Sequence, residues 1–383
     1  MSKYTFIATT LYGLENILAS EIAETGAEDI KILNRAVAFS GGISLMYKSN
    51  LCLRTALRVL LHLKSFITNN EDQLYNELLK IEWEEYFDVK SSIAVTSVVN
   101  SPLFRHSGYI ARRCKDAIVD RFRRNIGNRP SVDIQQPDVI INIHIDNKKA
   151  DVSLDSSGTP LFKRGYRTDS HHAPLNEVLA AGLIKLADWN SNEKCLYDPM
   201  CGSGTIAIEA ALIARNIYPG FFERPYAFFN WKNYDEKLFN VVKKKLPEAI
   251  TPSNPVYASD ISPESVDKTR RNVLNAGLSE FIKPVTIDFM KSVPPEFNGV
   301  IIMNPPYGER ISDKDINQFY KNIGDTLKTK YTGYEAWIIS PNVSALKFIG
   351  LHPEKKINVI NGNLKCRYLK YYLYEGSKKK KNV

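Results

Sequence analysis

Asp198-Pro199-Met200-Cys201-Gly202-Ser203-Gly204-Thr205 decides the fold. The short apolar run Cys195–Asp198 leads into it, and Ile206–Ala214 has the length and composition of a helix turn on turn. The order is therefore strand, glycine-rich turn, helix. Glycines at 202 and 204 let backbone approach a ligand closely, and the helix start offers unpaired amides. No Gly-Lys-Ser/Thr follows, so this is no phosphate-cradling P-loop. Asp198 also argues against a phosphate, because it repels one while it holds an ammonium. Alone, such a turn points no further than a nucleotide-like ligand.

Working outward, the same rhythm recurs. The pattern predicts a helix over Ala173–Trp189 with Pro174 in its first turn, where a missing amide costs nothing. Strands are expected at Val256–Asp260, Val285–Ile287, Val300–Met303 and Ala336–Ser340, with helical stretches between most of them. That alternation implies an α/β fold with a mainly parallel sheet. Ile357–Ile360 and Leu364–Tyr374, joined by Asn361-Gly362-Asn363, read as an antiparallel edge. Upstream the pattern is α+β: a strand at Tyr4–Thr9, a helix at Gly13–Thr25, a strand at Lys31–Phe39, a strand at Ser92–Val99 and a helix at Gly108–Phe122. Val139–Ile145 and Ala150–Leu154 alternate about the turn Asp146-Asn147-Lys148-Lys149, which signals a hairpin. Ser156-Ser157-Gly158-Thr159-Pro160 reads as a linker, placing a boundary near 156–170. The expected organisation is 1–65, 66–165, 171–375 and a basic tail at 376–383.

Composition sets outer limits. With 383 residues, 44% hydrophobic and 24% charged, the chain is neither collagen-like, a disulfide scaffold nor wholly disordered. The net charge of +9 points weakly to a polyanion, since Lys378–Lys381 supply four of those charges. Cys52, Cys114, Cys195, Cys201 and Cys366 are odd in number and form no CxxC pair, so neither disulfides nor a structural zinc are expected. No run nears the roughly 20 apolar residues of a membrane span, and Met1–Leu18 lacks a signal-peptide core. A reduced, cytoplasmic protein is the expectation. His171-His172 have no clustered partners, and no metal site is expected.

Two further strand ends carry acids. Asp260 closes one strand, where a carboxylate accepts from ribose hydroxyls, and Asp288 closes another, where it accepts from an adenine amino group. Singly, each reads as a helix cap; three acids at successive strand ends point to a shared site. Asp260 lies 62 residues beyond Asp198, against the usual spacing of about 20. The excess is an aromatic insertion, Asn216–Lys245, for which core packing is favoured over base stacking. The deciding motif is Asn304-Pro305-Pro306-Tyr307. An exocyclic amine on a base is a poor nucleophile because its lone pair is delocalised. The Asn304 side-chain oxygen and the Pro305 carbonyl would hold both N–H groups and favour pyramidal nitrogen, and the prolines stiffen the loop. Tyr307 offers a flat face to an extruded base.

On these motifs, residues 171–375 resemble S-adenosylmethionine-dependent methyltransferases of the amino-group (NPPY) class, with their Rossmann-like fold. The resemblance implies that Asp198 and the Cys201–Thr205 loop, with Gly202 and Gly204, hold the methionine end of the cofactor. It implies that Asp260 takes the ribose, that Asp288 takes the adenine, and that Asn304, Pro305 and Tyr307 place the amine. Residues 1 to about 170 resemble the ferredoxin-like plus THUMP module of RNA-modifying enzymes. The carriers are Ser107-Gly108-Tyr109, Lys115–Asp120, Val152–Asp155 and Arg164-Gly165-Tyr166-Arg167. With His172–Asn176 and Asn304–Ile311 added, nearly the whole chain is similar to the bacterial family that methylates guanine N2 in large-subunit ribosomal RNA. A transfer-RNA guanine-N2 methyltransferase, a DNA adenine-N6 methyltransferase and a non-catalytic RNA-binding assembly factor remain as alternatives.

Arg112, Arg113, Arg123 and Arg124 fall on one helix face and are candidate phosphate contacts, with Arg105, Lys115, Arg121 and Arg129 nearby. Asp116, four after Arg112, and Asp120, four before Arg124, leave open a self-paired face instead. Arg164 and Arg167 flank Tyr166 as a smaller RNA-binding candidate. Cys201 sits in the loop as packing, because methylating an exocyclic amine needs no covalent adduct.

Overall fold

The computed structural model describes residues 3–167, 174–308 and 313–375. The described chain packs as two compact units. The first holds the described residues of Met1–Thr10, Leu18–Leu161 and Glu223–Leu246. The second holds those of Leu11–Ile17, Phe162–Phe222 and Pro247–Val383.

The first unit is built on one sheet of eight strands: β1 (Tyr4–Thr9), β2 (Glu28–Leu33), β3 (Ala36–Gly41), β4 (Arg58–Ile67), β5 (Ser92–Asn100), β6 (Ser131–Val132), β7 (Val139–Asp146) and β8 (Lys149–Asp155). Their order is β2-β3-β1-β4-β8-β7-β5-β6. The alternation in β7 does what it implies: Val139, Ile141, Ile143 and Ile145 are all fully buried. The single strand expected at Lys31–Phe39 is instead the β2–β3 hairpin, because Asn34-Arg35 turns the chain with Arg35 at φ 56°. Ser156 and Ser157 are packed, not linker-like. Their hydroxyls bond the Val59 carbonyl at 2.6 Å and Asn50 Oδ1 at 2.7 Å, so small polar side chains satisfy buried backbone and amide groups.

The aromatic insertion returns to this first unit. Tyr226, Phe228, Trp231 and Phe239 join its core, with Tyr47 ring centroids 4.9 Å from Phe228 and 5.6 Å from Phe239. Packing is the outcome, but in the first unit's core.

The second unit holds β9 (Cys195–Asp198), β10 (Val256–Asp260), β11 (Val285–Thr286), β12 (Gly299–Met303), β13 (Glu335–Ser340), β14 (Lys355–Asn361) and β15 (Leu364–Tyr372). The order is β11-β10-β9-β12-β13-β15-β14, parallel as far as β13 and antiparallel at β15 and β14. This is the Rossmann-like arrangement with an antiparallel edge. β12 is buried at every residue, as a central parallel strand covered on both faces must be. From β9 the chain moves to one side through β10 and β11, then crosses back to β12 on the other. Strand order reverses between β9 and β12, and a crevice opens there beyond the strand ends. The expected helix over Ala173–Trp189 is shorter, Glu177–Leu186, because Asn176 caps it by accepting from the amides of Val178 and Leu179. Pro174 lies outside it.

Candidate active site

A cleft of about 560 Å³ sits at that reversal point. It is lined by Asp198, Cys201, Gly202, Thr205, Asp260, Asp288, Asn304, Pro305 and Tyr307, residues that in sequence spread over more than a hundred positions. Parallel strands explain the convergence: β9, β10, β11 and β12 all end on this edge, so the residues at or just beyond each end arrive at one place. Gly204 is the exception. It does not line the cleft; its φ is +83°, and a Cβ there would stand 2.7 Å from Thr269 Cγ2. Its glycine serves the close approach of the helix Pro263–Asn275, while Gly202, at φ +55°, faces open space.

Asp198 is the electrostatic centre. It is 1% exposed, and neither carboxylate oxygen has a hydrogen-bond partner among the described residues. The backbone amides of Met200 and Ala207 act on it favourably, but too weakly to offset burial. Burial, helped by the negative charge of Asp260, pushes its carboxyl well above the usual range. A buried carboxylate aimed at a cleft without a partner fits a cationic ligand group, such as the ammonium or sulfonium of S-adenosylmethionine.

The other two acids are partly committed. Asp260 Oδ2 accepts from the Gly202 amide and Oδ1 from the Ser262 amide, both at 2.9 Å. It therefore ties the glycine loop to β10 while lining the cleft. Asp288 accepts from the Met290 amide at 2.9 Å and caps a single turn at Phe289–Lys291. Each oxygen keeps a second lone pair for a ligand.

The loop is clasped from outside by residues that the motif does not announce. Thr269 Oγ1 donates to the Gly202 carbonyl at 2.9 Å, and Asn272 Nδ2 donates to the Ser203 carbonyl at 2.9 Å. Cys201 is buried, its Sγ 3.6 Å from Thr269 Oγ1, and desolvation with Asp198 nearby raises its thiol further. A thiol held protonated is a poor nucleophile.

The second loop, after β12, has its own supports. The Tyr307 hydroxyl donates to Asn304 Oδ1. Asn361 Nδ2 donates to that hydroxyl at 3.2 Å, and Asn342 Nδ2 donates to the Tyr307 carbonyl at 3.4 Å. Apolar lining comes from Leu175, Ile261, Phe289, Met290 and Phe319. Ile261 is 68% exposed although it follows directly on β10.

Arg164 and Arg167, expected as RNA contacts, turn inward instead. Arg164 is 2% exposed, with Nε 3.4 Å from Glu209 Oε1, which also accepts from the Tyr166 hydroxyl at 3.1 Å. Arg167 donates to Thr205 Oγ1 at 2.8 Å and to the Leu175 carbonyl at 3.1 Å, and it lies 3.3 Å from Glu177. Arg164, buried against a carboxylate, has no face left for a phosphate, and Arg167 turns inward to Thr205, Leu175 and Glu177 with its Nε unpartnered among the described residues, so both help build the second unit.

In the first unit, the helix Ser107–Ile126 carries the other four. Arg113 pairs with Asp72 at 2.8 Å and lies 4.2 Å from the Tyr75 ring centre. Arg123 pairs with Asp120 at 3.1 Å. The pairs anticipated at four-residue spacing do not form, because Asp116 binds Lys115 and Asp120 also accepts from Tyr75. Among the described residues Arg112 and Arg124 are exposed and make no ion pair. His171, His172, Glu309–Ile311 and the lysine tail lie outside the described residues. Among the described residues, no helix is long and apolar enough to cross a membrane.

Residues 164–370 match the family described as "RMKL-like, methyltransferase domain", 68–155 the THUMP domain, and 5–60 the RlmL ferredoxin-like domain. The chain is 39% identical to a provisionally named RNA methyltransferase, slr0064 of Synechocystis sp., across 96% of this chain and 97% of that protein. It is 33% identical to the ribosomal RNA large subunit methyltransferase K/L of Shewanella frigidimarina, across 98% of this chain but 53% of that one. It thus spans about half the length of the K/L relatives it matches. The crystal structure of SMU.472 complexed with SAH superposes with a TM-score of 0.88 at 29% identity, covering 98% of this chain and 100% of that one. The chain belongs to the RMKL-like family of THUMP-containing, S-adenosylmethionine-dependent RNA methyltransferases.

Proposed function

We propose that this protein methylates the exocyclic N2 amine of a guanine in large-subunit ribosomal RNA, in the cytoplasm. The observation that carries the reading is the gathering of Asp198, Asp260, Asp288 and Asn304-Pro305-Pro306-Tyr307 around one cleft. Asp198, with the Cys201–Thr205 loop, would hold the cationic methionine end of S-adenosylmethionine, Asp260 the ribose hydroxyls and Asp288 the adenine amino group. Ile261 and Phe289 give the flat base an apolar face. Bound S-adenosylmethionine supplies a methyl group on a cationic sulfur. The protein's own part is to hold the target: Asn304 Oδ1 and the Pro305 carbonyl accept its two N–H groups and favour a pyramidal nitrogen. Tyr307 lines the cleft beside Asn304 and would stack on the extruded base. Positioning and electrostatics carry the rate, and no general base is required before the nitrogen becomes cationic. The ribosomal substrate is supported by the K/L relatives, and RNA as the polymer by the THUMP domain. Arg112 and Arg124, exposed and without an ion pair among the described residues, are the best supported phosphate contacts.

The test is methyl transfer from labelled S-adenosylmethionine to ribosomal RNA, transfer RNA and DNA, with the product nucleoside identified by mass spectrometry. N2-methylguanosine in large-subunit RNA alone is the expected outcome. Label in transfer RNA or methyladenine in DNA would replace the substrate assignment. Asn304→Ala is expected to abolish turnover while RNA affinity is kept. Retained turnover would remove the amine-holding role.

A further inference from the structure

The hydrogen bonds behind Asn304 have a direction. A phenol has one proton to give, and the Tyr307 oxygen already accepts from Asn361 Nδ2 at 3.2 Å. Its own proton is thereby committed to Asn304 Oδ1. An asparagine amide can face a site with its oxygen or, after a half-turn, with its NH2 group, and only the oxygen can accept an N–H. A donor fixed on Oδ1 settles that choice and leaves the second lone pair for a target amine. The phenol is a dependable donor, because burial pushes its ionisation well above the usual range.

Asn361 reaches Tyr307 from the last position of β14, at the turn into β15, 54 residues further along the chain. The rest of the loop is braced separately. Asn342 holds the Tyr307 carbonyl, and the Tyr320 hydroxyl lies 3.4 Å from the Pro306 carbonyl and 2.8 Å from Ser340 Oγ. Backbone placement of the described part therefore does not depend on Asn361, whose amide meets, among the described residues of this loop, only the hydroxyl. That division separates orientation of the Asn304 amide from folding of the loop.

We propose that Asn361 is a positioning residue for methyl transfer: by donating to the Tyr307 hydroxyl it directs the phenolic proton onto Asn304 and so presents the Asn304 side-chain oxygen to the target amine. This rests on the reading of Asn304 as an amine acceptor. It assigns a function to the edge hairpin, which otherwise only closes the sheet.

The full-length protein is assayed with S-adenosylmethionine and its RNA substrate, alongside calorimetric cofactor binding and thermal melting. Asn361→Ala is expected to lower kcat about tenfold, the worth of one orienting hydrogen bond, with KM for RNA and cofactor affinity within about twofold of wild type. Asn361→Asp keeps the size but reverses the bond. As a carboxylate it takes the phenolic proton away from Asn304, and as a neutral acid it donates again. Its activity relative to wild type is therefore lowest at neutral pH, where the carboxylate is ionised, and rises as pH falls towards about 4, a profile that a packing role would not produce. In a Tyr307→Phe background neither Asn361 variant is expected to cost anything more, since the bond runs through the missing hydroxyl. Equal losses in both backgrounds, a flat relative pH profile for Asn361→Asp, or wild-type kcat for Asn361→Ala would each overturn the inference. Asn304→Ala separates the two failures: if that variant remains active, the amine-acceptor reading falls. If it is inactive while the Asn361 variants are normal, only the present inference falls.

Discussion

At the scale of single residues, the site is organised by Asp198, a buried carboxylate that no side chain among the described residues pairs with. Asp198 was legible because it stands in a contiguous motif, and so were Asp260, Asp288 and Asn304 at successive strand ends. Thr269, Asn272, Asn342 and Asn361 were not, because each acts on a loop far away in sequence and looks locally like an ordinary helix or turn residue. The state of Asp198 makes a prediction of definite sign. Its carboxyl is raised in the folded protein by burial and by Asp260. Between the ordinary carboxylate range and that raised value, unfolding is favoured because the unfolded chain ionises first. The ligand-free protein therefore loses stability as pH rises through that window. Asp198→Asn should melt higher than wild type at neutral pH, by about 2–4 °C for each kcal/mol relieved. The difference should close as pH falls below about 4, where both states of the wild type are protonated. Calorimetry should show the opposite for the cofactor, with affinity weakened at least about tenfold by loss of a charge-assisted bond. A variant that melted lower and bound equally well would contradict both halves.

At the scale of elements, strands were read more reliably than the connections between them. β9 and β10 announced themselves as short apolar runs ending in an aspartate, β12 as one followed by Asn304, and β7–β8 as an alternating pair about a turn. Lys31–Phe39 misled because an Asn-Arg turn carries no glycine, and Ser156–Pro160 misled only about packing: the units divide just beyond it, after Leu161, but its serines are buried because their hydroxyls bond inward. Arg164 misled for a related reason. A basic residue beside an aromatic looks solvent-facing until the helix Thr205–Ala214 is seen to bring Glu209 against it. Breaking that buried pair leaves an uncompensated carboxylate, so Arg164→Ala should cost about 3–5 kcal/mol in denaturant unfolding of the second unit. Arg164→Met with Glu209→Leu removes both charges and should recover most of that loss. The two glycines of the loop separate in the same assay. Gly202→Ala meets open space and should cost only about 1–2 kcal/mol for its left-handed backbone. Gly204→Ala must also displace Thr269 and should cost about 1–3 kcal/mol beyond that. Equal losses at the two positions would mean that the close approach at Thr269 relaxes freely.

At the scale of the whole molecule, chemistry and polymer recognition fall to different stretches of chain. The cleft belongs to the second unit, and the THUMP match belongs to the first. Net charge said little about the polymer, because the proposed phosphate contacts are a few arginines on one helix. Of these the structure leaves Arg112 and Arg124 exposed, while Arg113 and Arg123 already face carboxylates. A free guanidinium that meets a phosphate releases a counterion, whereas one already paired has to break its bond to Asp72 or Asp120 first. Salt dependence therefore separates the two kinds. Removing Arg112 or Arg124 should lower the slope of log affinity against log salt by about 0.7–0.9 each. Arg113→Ala and Arg123→Ala should move it by much less. In turnover the loss should fall on KM for RNA and not on kcat, since the substitution weakens binding of ground and transition state alike. If all four variants shift the slope equally, the carboxylates on this helix do not shield their partners and the whole face meets the RNA. If none shifts it, the phosphate contacts lie elsewhere, and the helix is the self-paired, solvated face that its acidic residues first suggested.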